Sequence, residues 1–278
     1  MVKLFRLLLL IFLSTCGSPE KKDVKISTSS QEQAIQIYRL GLEAIEERDY
    51  FYASKLFSEA EILLPQSEWA AKSALMTGYC FYSINFFTEA ISSLERFTKT
   101  YPASKNLDYA HYLIAISYYE QILGEEKDIE PLINSRKKIE FFLKNYPNTD
   151  YAVDLQFKLE LVINQLAAKE MSIARYYIAN EKWIAAINRL NTVVENYDET
   201  IFIEEALFRL VEIYYKIGLE EESKAAAALL GYNYGSSQWY KRSYKILNKN
   251  YKEPIIQKAN KEDGLIKRTI KKFLLTDD

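Results

Sequence analysis

Few side chains in this chain could carry out nucleophilic or metal chemistry. The 278 residues include one histidine and two cysteines, so a Ser-His-Asp or Cys-His arrangement would have to use His111. His111 lies in a predicted helix among Tyr109, Tyr112 and Ile116, a setting that favours a packed or groove-lining histidine. We find no cluster with metal-ligand spacing and no glycine-rich phosphate loop in the sequence. We therefore expect no enzymatic activity, no cofactor and no metal.

One of the two cysteines, Cys16, lies shortly after the longest apolar run of the chain. This run, residues 7–13, is far shorter than the roughly 20 residues that cross a membrane as a helix. Lys3 and Arg6 precede it, as in a secretory signal peptide. The tetrapeptide Leu13-Ser14-Thr15-Cys16 resembles the lipobox of bacterial lipoproteins, in which cleavage falls before the cysteine that carries the lipid. Thr15 departs from the usual Gly, Ala or Ser.

The lipobox predicts how the start of the chain is organised. We expect a signal peptide over residues 1–15 and a lipidated, polar, flexible tether over residues 16–30. Gly17, rather than Asp, follows the cysteine, which suggests the inner leaflet of the outer membrane, facing the periplasm, with the lipid as anchor. The alternatives are a plain signal peptide, or an N-terminal anchor with a chance cysteine.

Composition favours an all-α fold. The chain has 22 Tyr but only 8 Gly and 6 Pro, which suits helices better than a turn-rich β fold. Its formal net charge is −2, so we do not expect a nucleic-acid partner.

A short pattern that stops helices recurs along the chain. It consists of Leu or Tyr, then usually Pro, any residue, and Ser or Thr. Proline cannot continue a helix, and the hydroxyl can cap the next one. The pattern begins at five positions: Leu64, Tyr101, Tyr146, Tyr197 and Tyr234.

Residues upstream of each stop follow the consensus of the tetratricopeptide repeat (TPR), a helix pair of about 34 residues. Small residues permit close helix approach and large ones fill the groove. We predict about five TPR-like units over residues 31–251, and a long helix over residues 151–177 that separates the third stop from the fourth unit. The matching residues include Gly41, Ala53, Phe57, Gly78, Ala90, Leu94, Ala174, Ala186 and Leu190.

The C-terminal segment is strongly basic. Residues 241–272 contain eleven Lys or Arg against three acidic residues. We favour a solvated capping helix over residues 237–250 with a basic tail over residues 252–278; contact with anionic lipid or an acidic partner is the alternative.

These features together resemble the BamD family, the TPR lipoproteins of the outer-membrane β-barrel assembly machine. The resemblance covers residues 16 to about 251, and the basic tail has no counterpart in it. The stretches that carry it are YPASKNLDYAHYLIAISYYEQI, KNYPNTDYA and SIARYYIANEKWIAAINRLNTVVENYDET.

The resemblance implies a non-catalytic adaptor in outer-membrane protein assembly. It implies that the C-terminal units bind a POTRA domain of BamA, with Arg189 on the family arginine that meets an acidic residue there, which suits the planar fork of arginine. It also implies that the N-terminal units receive the C-terminal segments of unfolded outer-membrane proteins. Whether other lipoproteins of the complex are further partners stays open.

Two other functions stay open at this point. A generic periplasmic TPR lipoprotein in envelope maintenance or division would share the repeats, but it would lack the irregular spacing and the segment WIAAINR. A lytic transglycosylase would need a catalytic domain after the solenoid, and fewer than thirty residues follow Tyr251.

Overall fold

The computed structural model describes residues 28–122 and 128–248, and in these ranges the chain forms eleven α-helices and no strand. The predicted all-α fold is confirmed. The helices are α1 (Thr28–Glu46), α2 (Tyr50–Leu63), α3 (Glu68–Ser83), α4 (Phe87–Thr100), α5 (Leu107–Glu120), α6 (Glu130–Asn145), α7 (Asp150–Ala179), α8 (Trp183–Asn196), α9 (Ile203–Lys216), α10 (Glu220–Tyr234) and α11 (Gln238–Leu247).

Consecutive helices pack as pairs, and the chain divides into two compact units. The first unit runs to Val162 and the second starts at Ile163, so the division falls within α7. In the first unit, α1 packs on α2, α3 on α4 and α5 on α6. In the second, the C-terminal part of α7 shares a core with α8, α9 packs on α10, and α11 caps both. The described part of the chain thus holds five helix pairs and a capping helix, which matches the predicted count of repeats.

The first four predicted stops lie between the second helix of one pair and the first helix of the next. The fifth begins at Tyr234, the last residue of α10, ahead of the capping helix α11. The predicted capping by the Ser or Thr of the pattern is correct at two of the five stops. Ser67 Oγ accepts from the Ala70 amide and Ser237 Oγ from the Tyr240 amide, each at 3.0 Å.

At the other three stops the capping prediction is wrong. The hydroxyls of Thr149 and Thr200 donate back to the carbonyls of Tyr146 and Tyr197, at 3.1 and 2.7 Å. Ser104 Oγ instead accepts from the Asn106 amide, ahead of α5. These hydroxyls stabilise the turn itself. Ser67 makes the same kind of bond to the carbonyl of Leu64, at 2.7 Å, and caps α3 as well, so the bond to the turn does not by itself prevent capping.

Small residues at the predicted TPR positions bring paired helices into close contact. A Cβ added to Gly41 of α1 would lie 2.8 Å from Cε1 of Phe57, and one added to Gly78 of α3 would lie 2.5 Å from Cγ of Leu94. Ala53 and Ala90, on the partner helices, are fully buried. The glycines leave the space that the large side chains of the next helix fill, which explains why the repeat needs a small residue there.

The long helix predicted over residues 151–177 is present as α7, with 30 residues. Its apolar face is buried at Leu155, Val162, Leu166, Met171 and Ala174. Residues 107–147 hold α5 and α6, and part of the loop between these helices lies outside the described residues.

Several predictions concern residues outside the described ranges. The signal peptide, Cys16, most of the tether and the basic tail after residue 248 lie there, so these boundaries stay predictions. Helix α1 begins at Thr28, three residues before the predicted start of the solenoid, and the capping helix is Gln238–Leu247. No helix in the described ranges is long and apolar enough to cross a membrane.

We predict that Gly78→Ala destabilises the protein, although alanine favours a helix over glycine by about 1 kcal/mol. The new Cβ would overlap Leu94, which is fully buried, and such overpacking costs about 1–3 kcal/mol. Urea denaturation monitored by circular dichroism checks this.

The control is a double-mutant cycle with Leu94→Ala, which removes the obstructing side chain. In that background Gly78→Ala should become neutral or stabilising. An equal loss of stability in both backgrounds would contradict the close-approach explanation.

Candidate functional site

The segment that resembles the family's partner-binding surface lies on α7 and α8, in the second unit. A shared core holds these two helices together: it contains Met171, Ala174, Ala186, Leu190 and Val193, all fully buried. Ala174 and Ala186 are small members of this core, which allows the two helices to approach closely. The residues on either side of this core therefore have fixed positions on the surface.

Arg189 of α8 makes an ion pair with Glu170 of α7. Its Nη1 donates to both carboxylate oxygens, to Oε2 at 3.1 Å and to Oε1 at 3.4 Å. The arginine side chain is 43% exposed, whereas the glutamate side chain is 11% exposed. The guanidinium thus lies at the surface against a nearly buried carboxylate.

A shallow depression of about 190 Å³ borders this guanidinium. It is lined by Tyr177, Ala185, Asn188, Arg189 and Thr192. Most of its lining comes from one face of α8, where Ala185, Asn188, Arg189 and Thr192 follow helical spacing. The site can therefore accept a small protruding group, with a cation at its edge.

A second pair on α7 differs from the first. Arg175 donates through Nε at 3.1 Å and through Nη2 at 2.6 Å to the carboxylate of Glu205 on α9. Burial raises the pKa of the Glu205 carboxyl, whereas Arg175 and Arg209 lower it. The net result is a lowered pKa. This pair fixes α7 against α9.

The sequence prediction missed Glu170 as the neighbour of Arg189. Its position did carry a signal, because Glu170 occurs in register with Leu166, Ala167 and Ala174, all buried on the same face of α7. A charged residue in a buried register needs a partner, and Arg189 supplies it.

A different surface in the first unit carries exposed aromatic rings. In α2, Phe57 is fully buried, but Phe51 and Tyr52 are exposed, and so is Phe86, the residue before α4. Phe51, Ile62 and Phe81 line an apolar depression of about 480 Å³. The ammonium of Lys55 lies 4.6 Å from the centre of the Phe51 ring, so a cation is part of this surface.

The histidine and cysteine have packing roles in the described structure. The His111 ring lies 5.0 Å from Phe141 and 5.7 Å from Tyr146, measured between ring centres, which confirms a packed histidine. Cys80 is fully buried, and burial raises the pKa of its thiol to about 12. A thiol in this state is a poor nucleophile. Across the described ranges, no group of three or more His, Cys, Asp or Glu side chains could hold a metal ion.

Comparison with known proteins identifies the family. Residues 30–229 match the YfiO family, described as an outer membrane lipoprotein. The chain belongs to this family.

Curated relatives of the YfiO family extend the match over most of the chain. The outer membrane protein assembly factor BamD of Caulobacter vibrioides is 37% identical over 260 residues, which cover 92% of this chain and 84% of that protein. BamD of Rickettsia prowazekii is 36% identical over 251 residues, covering 90% of this chain and 98% of the relative. The resemblance to the BamD family is thereby confirmed.

Among solved structures, the chain is similar to a thermophilic TPR protein of Thermus thermophilus. That likeness has a TM-score of 0.36 and 16% identity, and covers 77% of this chain and 98% of the other.

We predict that the single histidine makes stability depend on pH. Burial lowers the pKa of His111, Lys138 lowers it further and Glu95 opposes the change. The unfolded chain therefore binds a proton at a higher pH, about 6.5, than the folded one does. Stability should be full above that pH and should fall as the pH drops below it.

Urea denaturation between about pH 7.5 and 5.5 checks this prediction, since Asp and Glu side chains with ordinary pKa values titrate below that pH range. His111→Phe, which retains an aromatic ring against Phe141 and Tyr146, should flatten the dependence. An unchanged slope in the Phe variant would assign the pH dependence to other groups.

Proposed function

We propose that this protein is a non-catalytic outer-membrane protein assembly factor that binds BamA through the surface around Arg189. Membership of the YfiO family and 36–37% identity to curated BamD proteins over at least 90% of the chain carry this proposal. The partner is a POTRA domain of BamA, and other lipoproteins of the complex join it.

The geometry of Arg189 supports this contact. A half-exposed guanidinium beside a depression suits an acidic side chain of a partner, because arginine binds carboxylates through two parallel hydrogen bonds. The small residue Ala185 leaves room for the approach.

The first unit supports a second role, the reception of C-terminal segments of unfolded outer-membrane proteins. Such a segment is extended and ends in an aromatic residue with a free carboxylate. The apolar depression at Phe51, Ile62 and Phe81, with Lys55 beside it, has the chemistry for a ring and a negative charge.

We predict that Arg189→Glu reduces recovery of BamA in affinity purification from native membranes by at least about tenfold, because like charges across an interface oppose binding. Arg136→Glu is the matched control. Arg136 lies on α6 with a similarly exposed side chain, 37%, and pairs with Glu140. It should leave the recovery of BamA unchanged.

The charge reversal places a carboxylate against Glu170, so Arg189→Gln is included as a neutral variant and each protein is checked by thermal melting. Loss of BamA in both Arg189 variants, with folded protein, supports the contact. Absence of BamA from the wild-type purification would mean that the chain is another envelope TPR scaffold. Recovery of BamA by all variants would remove Arg189 from the interface.

We also predict that Cys16 carries the lipid that holds the protein at the inner leaflet of the outer membrane, facing the periplasm. Cys16→Ala should abolish labelling by radioactive palmitate, because it removes the thiol that would accept the lipid. Cys80→Ala, which changes the buried cysteine, is the control and should retain labelling. Unchanged labelling of the Cys16 variant would place the lipid elsewhere.

A further inference from the structure

Two arginines of the second unit use different edges of the guanidinium. Arg175 binds Glu205 through Nε and Nη2, the pair of parallel donors that matches a carboxylate. Arg189 binds Glu170 through Nη1 alone. The matching Nε–Nη2 edge of Arg189 receives no hydrogen-bond acceptor from residues 28–122 or 128–248.

The burial of Glu170 explains why Arg189 is held in this way. An ionised carboxylate that is 11% exposed must be paired, since an isolated buried charge is strongly unfavourable. Glu170 is carried by α7, which the shared core fixes against α8. The carboxylate therefore acts as a fixed acceptor for Nη1.

We propose that Glu170 is a positioning residue of the partner-binding surface: it holds Nη1 of Arg189 so that the Nε–Nη2 edge faces a carboxylate of the partner. This inference rests on the proposed function, in which Arg189 contacts BamA. A side chain that is already ordered loses less conformational entropy when it binds, so the internal pair strengthens the external one.

The same geometry allows an opposite effect, in which Glu170 competes with the partner for Arg189. The two possibilities differ in sign. If Glu170 positions the guanidinium, its neutralisation weakens the binding of the partner. If Glu170 competes, its neutralisation strengthens that binding.

The experiment measures the affinity of the purified periplasmic POTRA region of BamA for the full chain in detergent by calorimetry. Glu170→Gln should weaken binding by about fivefold to tenfold, the range expected for the loss of one ordinary hydrogen bond. In an Arg189→Gln background, Glu170→Gln should have no further effect, because it acts through that arginine. Unchanged or tighter binding of Glu170→Gln, or a loss that persists in the Arg189→Gln background, would overturn the proposal.

Glu205→Gln is the matched control for the loss of an internal ion pair. Glu205 is 14% exposed and pairs with an arginine of similar exposure to Arg189. Its neutralisation should lower the melting temperature at least as much as Glu170→Gln does, because Glu205 pairs with both Arg175 and Arg209, but leave the affinity for the POTRA region unchanged. An equal loss of affinity in both variants would make the Glu170 effect merely structural.

Arg189→Lys separates positioning from charge. Lysine retains the cation but lacks the planar fork, and its compact ammonium would pair with Glu170. Binding of this variant should be as weak as that of Arg189→Gln. If the lysine variant bound the POTRA region with wild-type affinity, the positive charge alone would be sufficient for binding. That result would overturn the role of Glu170.

A measurement without partner distinguishes failure of the inference from failure of the proposed function. Nitrogen NMR measures the rate of rotation about the Nε–Cζ bond of Arg189. This rotation should be slow in the wild type and fast in Glu170→Gln. Slow rotation in the wild type with no affinity for the POTRA region would reject BamA as the partner and leave the positioning intact. Equally fast rotation in both proteins would reject the positioning itself.

Discussion

The close approach of paired helices is the constraint on which the rest of this structure depends. A helix pair buries one apolar face only when a small residue on one helix meets a large one on the other, as Gly41 meets Phe57 and Gly78 meets Leu94. Neither pair encloses its core alone, so the next pair must cover the remaining face. Cross-repeat contacts then follow: Glu61 of α2 accepts from Arg96 of α4 through two bonds of 2.6 Å, and from the Tyr101 hydroxyl at 3.0 Å.

The same constraint decides where functional side chains can lie. Ala186 and Leu190 of α8 are fully buried, so helical spacing turns Ala185 and Arg189 toward the edge of the pair. Neither position is free to shift, because a rotation of α8 would expose its apolar face to water. A surface built on such a helix keeps its side chains in place without a partner.

Much of this fold follows from local sequence patterns. The five stops, the small residues in the helices and the length of α7 are local signals, because each depends on the backbone properties or the size of a few neighbouring residues. That the hydroxyls of Thr149 and Thr200 bond to their own turns without capping the next helix was not predictable, since Ser67 in the same pattern does both. The Glu170–Arg189 pair joins residues 19 apart on two helices, and helical periodicity alone does not select such a pair. The partner assignment of Arg189 came from the resemblance to the BamD family.

Three nearly buried glutamates, each paired with a half-exposed arginine, show why geometry rather than composition indicates a binding surface. Glu61, Glu170 and Glu205 have side chains 11%, 11% and 14% exposed, and their arginines are 49%, 43% and 46% exposed. Glu61 accepts from both terminal nitrogens of Arg96, and Glu205 accepts from Nε and Nη2 of Arg175. In both pairs two donor nitrogens of the guanidinium are used within the chain, whereas Glu170 engages only Nη1 of Arg189. Arginine carries five N–H donors, and Glu170 occupies a single nitrogen of Arg189, so both nitrogens of its Nε–Nη2 edge can bind a carboxylate from another protein.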